Sequence, residues 1–227
     1  RVNISLTTSL SQNKNTQTAN LTLPTFQGNM ERIYPFAKRD GVKKGIIQNI
    51  NFQLTTLAES RIQTTEERLF KKAMYQDAIS GVKHTAPINT NFKLLKHFSI
   101  SLGGNLQEVW NFNTIKYNNY TEEAEIVKDT ISGFDAFRTY NLSASVGTTI
   151  YGTFNFKKGK KIESIRHTIR PSISYGIQPS FEKYYDTYII DANGNTAEYT
   201  RFEQALFGRP TKNFSNSIGI SINNSLE

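Results

Sequence analysis

The stretch Ile162 to Phe181, IESIRHTIRPSISYGIQPSF, separates cleanly when read in steps of two. Ile165, His167, Ile169, Pro171, Ile173, Tyr175, Ile177, Pro179 and Phe181 fall on one side. Ser164, Arg166, Thr168, Arg170, Ser172, Ser174, Gly176, Gln178 and Ser180 fall on the other. This is the period of a β-strand. The run is longer than an ordinary strand, and its polar side is small or cationic. It also carries two prolines, which central strands of packed sheets exclude.

The same alternation recurs along the chain. In YNLSASVGTTIYGTFNF, Tyr140, Leu142, Ala144, Val146, Ile150, Phe154 and Phe156 oppose Asn141, Ser143, Ser145, Gly147, Thr149, Thr153 and Asn155. In FSISLGGNLQEVWNF, Phe98, Ile100, Leu102, Leu106, Trp110 and Phe112 oppose Ser99, Ser101, Gly103, Asn105, Gln107 and Asn111. Val2 to Leu10 and Phe214 to Leu226 alternate alike, and weaker versions occupy Ala19 to Met30, Ile46 to Ile62 and His84 to Lys96. About eight antiparallel strands are expected, many reaching the roughly 9 to 11 residues that cross a bilayer at a tilt.

Connections and composition sharpen this. LLKHF and FKKGKKIES read as tight turns, whereas segments near 63–82, 116–134 and 182–212 read as long loops. Short turns on one rim and long loops on the other is the arrangement of an outer-membrane β-barrel. Lys38, Arg39, Lys43, Lys44, Lys93, Lys96, Lys157, Lys158, Lys160 and Lys161 belong to the short-turn rim, and most carboxylates to the long loops. Only 37% of the 227 residues are hydrophobic, fewer than a packed core of this size uses. Eleven Tyr and fifteen Phe argue against disorder. Soluble sandwiches and lipocalin-like barrels also alternate, but their outer faces carry Lys and Glu. Here the polar faces carry Ser, Thr, Asn, Gln and Gly, as a water-filled lumen would. The fold class expected is an all-β antiparallel transmembrane barrel, with residues 1–227 part of one barrel domain. Because the chain opens at Arg1 directly into a strand pattern, it reads as a processed chain or a fragment.

Two loops carry signals of their own. TTEERLFKKAMYQDAISG has a capping-box pair, Thr64 and Glu67, with Phe70, Met74 and Ala78 at i, i+4 spacing and a stop at Gly81, which predicts a short surface helix. YIIDANGNTAEY places Asn193-Gly194 between strand-like arms, which predicts a hairpin projecting beyond the barrel.

Sequence patterns for catalysis are lacking. His84, His97 and His167 are scattered, and no GxSxG, HExxH or paired-carboxylate spacing occurs. The stretch DANGN has its Gly misplaced for a calcium loop and no closing Glu. Neither an enzyme nor a bound metal or cofactor is expected. The net charge of +8 lacks an aromatic stacking platform beside it, so anchoring to anionic membrane lipids explains it better than nucleic acid does. Arg166, Arg170, Ser172 and Ser174 project toward the expected lumen. Its arginines are either solvated and paired with carboxylates or poised for an anionic solute, since guanidinium matches phosphate in a bidentate way. Pro24, Pro87, Pro171 and Pro179 each remove a ladder donor. They read either as marks of bulges and strand ends or as a weakened seam. At Pro24 the apolar register moves from Leu21 and Leu23 to Phe26 and Met30, as a bulge would make it.

The motif IRHTIRPSISYGIQPSF, with LTLPTFQGNMERIYPF, NFKLLKHFSIS, YGTFNFKKGKKIESIRH and the closing SISINNSLE, resembles the outer-membrane lipopolysaccharide-assembly family (LptD, or OstA), in its Bacteroidota form. That resemblance spans nearly all of the chain. It implies a portion of a large barrel in the outer membrane of a Gram-negative bacterium, inserting lipopolysaccharide into the outer leaflet. It further implies an LptE-like plug lipoprotein and periplasmic lipopolysaccharide-bridge proteins as partners. A different outer-membrane barrel, a TonB-dependent transporter or porin-like channel, is the alternative, and a secreted soluble β protein a third.

Overall fold

The computed structural model describes residues 1–38, 41–43, 45–123, 125–156 and 163–227. Alternation becomes one antiparallel sheet. Its strands are β1 (Val2–Asn13), β2 (Thr18–Ile33), β3 (Asn51–Thr65), β4 (Ile79–Leu94), β5 (Phe98–Tyr117), β6 (Lys128–Thr148), β7 (Ile150–Asn155), β8 (Ser164–Gln178) and β11 (Ser215–Leu226). Neighbours run in the order β1, β2, β3, β4, β5, β6, β8, β11, with β7 continuing β6 along β8 after a break at Thr149. Counting β6 and β7 as one gives eight long strands. A separate hairpin, β9 (Tyr185–Ile189) and β10 (Thr196–Thr200), lies in the last long connection. Among the described residues β1 and β11 have one neighbour each, so the sheet is open.

Register keeps the two faces apart from strand to strand. One continuous row across the sheet joins Ile88, Gly104 and Leu142, and the next joins Thr90, Leu102, Ala144, Tyr175 and Ile218. A one-residue slip anywhere would send apolar side chains to the polar face. The chain absorbs its one early phase change at Pro24. There β2 carries one residue more than β1 and one more than β3, which restores Leu21 and Phe26 to the same face.

The apolar face is largely uncovered: Ile4, Leu6, Ile218, Ile220 and Ile222 are each more than 60% exposed. Patches of this extent mark a surface that something apolar covers. Among the described residues most buried apolar side chains gather in two small clusters, both near the long-loop rim. Ala19, Leu21, Ile62 and Met74 make one on the apolar face, and Val109, Phe137, Phe181, Tyr184 and Phe202 make the other.

Four expectations need correction. The helix expected after Thr64 is two 3-10 turns, Glu66–Arg68 and Lys72–Asp77, with Gly81 inside β4. Thr64 makes no capping bond, and Phe70 sits at φ +61. Burying Met74 over Leu21 and Ile62 sets this segment's path, overriding a helical propensity too short to stand alone. The rims are also less strictly divided than the loop lengths suggested, since 14–17 is a short turn on the long-loop rim and 34–50 a long connection on the other. Within that connection, residues Gly45–Gln48 form a helical turn in place of the strand expected from Ile46. Finally, the hairpin at Asn193-Gly194 exists but is tied down. Tyr188 stacks on Tyr117 of β5 at 4.6 Å, and the Ile189 N–H donates to Asn119 Oδ1. Arg39, Lys44 and the turn residues Lys157, Lys158, Lys160 and Lys161 lie outside the described residues.

Candidate functional site: the polar face

Pairing register builds a grid of small residues on the polar face. Ser99, Gly147, Ser172 and Ser221 form one row across β5, β6, β8 and β11. Ser101, Ser145, Ser174 and Gly219 form the next, and Gly103, Ser143, Gly176 and Ser217 the third. Every member is Ser or Gly, so four strands present a shallow wall of hydroxyls and bare backbone. Such a wall offers hydrogen bonds with little steric relief and no fixed charge.

Toward the short-turn rim the wall gives way to cations. Arg170 and Arg166 stand on the polar face of β8, as the alternation places them, two and six residues before Ser172 and so nearer the short-turn rim from which the strand starts. Arg166 lies over the ring of Tyr151 with its Cζ 4.7 Å from the centroid, a cation-π contact. Among the described residues neither arginine has a carboxylate within ion-pair distance, so the carboxylate pairing considered from sequence is not made there. Ser174 donates weakly to the Gly219 carbonyl at 3.4 Å, and Ser172 packs beside Gly147.

Toward the long-loop rim the wall leads to amides. Asn105, Gln107, Asn141 and Gln178, with Arg209, line a polar cleft of about 190 Å³. Beyond it the connection 179–214 folds back over the polar face. Phe202 is 1% exposed and packs on Phe137, 4.9 Å between centroids, and on Tyr184 at 5.8 Å. The upper part of β6 has lost β8 as a neighbour, and the loop replaces it: the Arg138 N–H donates to Tyr184 Oη at 2.9 Å. On β5, the Ile115 N–H donates to the Arg201 carbonyl at 3.0 Å. Arg201 also pairs with Asp135, and Lys212 with Glu198. The hydrogen bond to Glu198 holds the Lys212 ammonium above its ordinary range.

Sequence reasoning missed this cap, although a signal was present. Val109, Ile115 and Phe137 occupy polar-face positions of β5 and β6, and apolar residues out of phase mark where something docks. The turn of the β9–β10 hairpin needs no ion. Asp191 Oδ1 accepts from the N–H groups of Asn193 and Asn195, and those bonds, the Asn195 side chain foremost, hold its carboxyl below the usual range. Among the described residues no group of three or more His, Asp or Glu could hold a metal.

The prolines do not gather in one place. Pro24 sits at the β2 bulge, and the β3–β4 ladder is interrupted beside Pro87. Pro171 faces the break between β6 and β7, and Pro179 follows the end of β8. Pro24, Pro87 and Pro171 thus interrupt different pairs of strands and Pro179 lies outside the ladders, while the β4–β5 and β8–β11 ladders run unbroken past Pro87 and Pro171.

The family model described as LptD protein matches residues 1–227. No curated protein and no solved structure matches.

Proposed function

The chain belongs to the LptD protein family, which acts in lipopolysaccharide transport to the outer membrane of Gram-negative bacteria, and from that premise we propose that it is wall of the translocon barrel that inserts lipopolysaccharide into the outer leaflet. Residues 1–227 form part of a single transmembrane barrel domain, with 66–78, 118–127 and 179–214 on the extracellular side. The apolar face meets membrane lipid and the polar face lines the lumen. The observation that carries this reading is the Ser/Gly grid lying back to back with an uncovered apolar face. A wall that must pass a bulky, polar saccharide chain gains from hydroxyls without long side chains, and one that must pass acyl chains needs lipid on its other side.

Within this account Arg166 and Arg170 meet the phosphate-bearing sugars at the periplasmic entrance, and Ser172 and Ser174 form the wall beyond them. An LptE-like lipoprotein fills the remaining lumen, and the periplasmic bridge proteins deliver the cargo. The chain does no covalent chemistry. Photocrosslinkers placed at Arg166, Arg170 or Ser174 in cells trap lipopolysaccharide, and those at Ile169 or Ile173 trap bulk membrane lipid. Equal lipopolysaccharide capture at both sets contradicts the assignment of faces.

A further inference from the structure

The apolar face is not featureless. On β4, β5 and β6 two hollows of about 350 and 480 Å³ lie end to end and share Leu106 and Tyr140 as walls. Gly104 lines the first of them, set between Ile88 and Leu142 in the pairing register and carrying no side chain; a Cβ there would stand 3.2 Å from Leu142 Cδ2. One end is closed by Ile50, carried on a segment that Thr90 pins by donating to the Ile46 carbonyl at 2.8 Å. The other end is charged. Arg138 and Lys183 line it, with Glu108 bound to Arg138 through Nε and Nη2 at 2.8 and 3.1 Å. Two cations face one carboxylate, so this end keeps a net positive charge.

Height along the strand fits a lipid of one leaflet. Glu108 is ten residues above Phe98, where β5 leaves its turn. At about 3.4 Å per residue and a tilt near 40°, that is roughly 26 Å along the membrane normal, the height of the whole apolar band. Gly104 comes at roughly 16 Å on the same arithmetic, inside the hydrocarbon. Thus the charges sit at the outer headgroup level, and the hollow runs inward from them.

We propose that this groove holds one lipopolysaccharide molecule of the outer leaflet on the outside of the wall, with a phosphate of its lipid portion against Arg138 and Lys183 and an acyl chain over Gly104. The inference rests on the assignment of the apolar face to lipid made above. It is a resident site, apart from the lumen grid and from both edges of the sheet, and it gives the barrel a fixed contact with the leaflet that it builds.

Native mass spectrometry of the full-length complex, extracted from cells, tests it by counting retained lipids. Gly104→Leu puts a side chain into the first hollow, and Lys183→Glu reverses an exposed charge outside the strands, so the second variant stays informative should the first fail to assemble. Each lowers retained lipopolysaccharide by about tenfold, the effect of roughly 1.4 kcal/mol, and leaves phospholipid adducts unchanged. Unchanged lipopolysaccharide in the assembled variants overturns the proposal. Loss of phospholipid adducts in place of lipopolysaccharide overturns it too, by naming a different occupant. The readout requires no transport, so it decides the groove even if depletion of the protein left lipopolysaccharide delivery intact and the translocon reading failed.

Discussion

Replacing Phe202 with Ala should release the cap from the polar face without disturbing the sheet beneath. Phe202 is 1% exposed and packs on Phe137 and Tyr184 within the cluster that holds 179–214 over the strands. Truncating a buried Phe costs about 3–5 kcal/mol, the sum of lost burial and the cavity left behind. The long ladders of β5 and β6 do not depend on it, so the loss falls on the docking of the loop. At 1.4 kcal/mol per factor of ten, the undocked population rises roughly a hundredfold to a few thousandfold. Hydrogen exchange read by mass spectrometry on the purified complex detects this directly: amides that the cap protects, Ile115 and Arg138 among them, exchange faster by that factor. Amides in the middle of β5, such as Leu102, do not change. Uptake of large antibiotics by cells should rise in parallel, since the polar face, the proposed lumen wall, loses its cover. Unchanged protection at Ile115 and Arg138 in the variant would refute the claim that this cluster fastens the loop.

Other consequences can be checked in the same background. Deleting Leu23 removes the extra residue of the β2 bulge and leaves Leu21 and Phe26 on one face, so the barrel should still assemble; deleting Gln107 from unbulged β5 inverts one half of that strand and should abolish heat-modifiable folding on gels. Leu95 and Lys96 turn between β4 and β5 with φ of +49 and +63, values that Asn-Gly adopts readily. The double replacement Leu95→Asn with Lys96→Gly relieves roughly 1–2 kcal/mol per strained residue, offset by the entropy of the added glycine at about 0.5–1 kcal/mol, and should raise the unfolding midpoint in denaturant. Asp191 is held below the usual carboxylate range, so its contribution to the β9–β10 turn is complete above that range and fades as pH falls through the depressed value; tyrosine fluorescence from Tyr188 and Tyr199 should report loosening in acid, and Asp191→Ala should remove that dependence.

Strand identity and faces were legible in the sequence because a barrel wall is specified locally. Each strand chooses its own faces by alternation, and Ile165 to Ile177 or Phe98 to Leu106 needs no knowledge of a neighbour. Features that depend on which residues meet across strands were not legible. The Ser/Gly grid appears only when Ser101, Ser145, Ser174 and Gly219 are brought into one row. Gly104 of the groove falls between Ile88 and Leu142 only through the same pairing. The loops misled for a related reason. Thr64 to Gly81 has the spacing of a helix, but the demand for Met74 at the apolar face is tertiary. Tyr184 and Phe202 show no period at all, since they are anchors of an irregular segment whose docking site is written elsewhere, in Val109 and Phe137.

The central claim is that one face of this wall is wet and the other meets lipid. The chain has no cysteine, so single cysteines can be placed at each position from Ile165 to Gly176 and reacted in intact outer membranes with a water-soluble maleimide. The account predicts labelling that alternates with a period of two, high at Arg166, Arg170, Ser172, Ser174 and Gly176 and low at Ile165, His167, Ile169, Pro171, Ile173 and Tyr175, with Thr168, on the polar face but 3% exposed, left out of the comparison. Uniform labelling along β8, or the opposite phase, would contradict it.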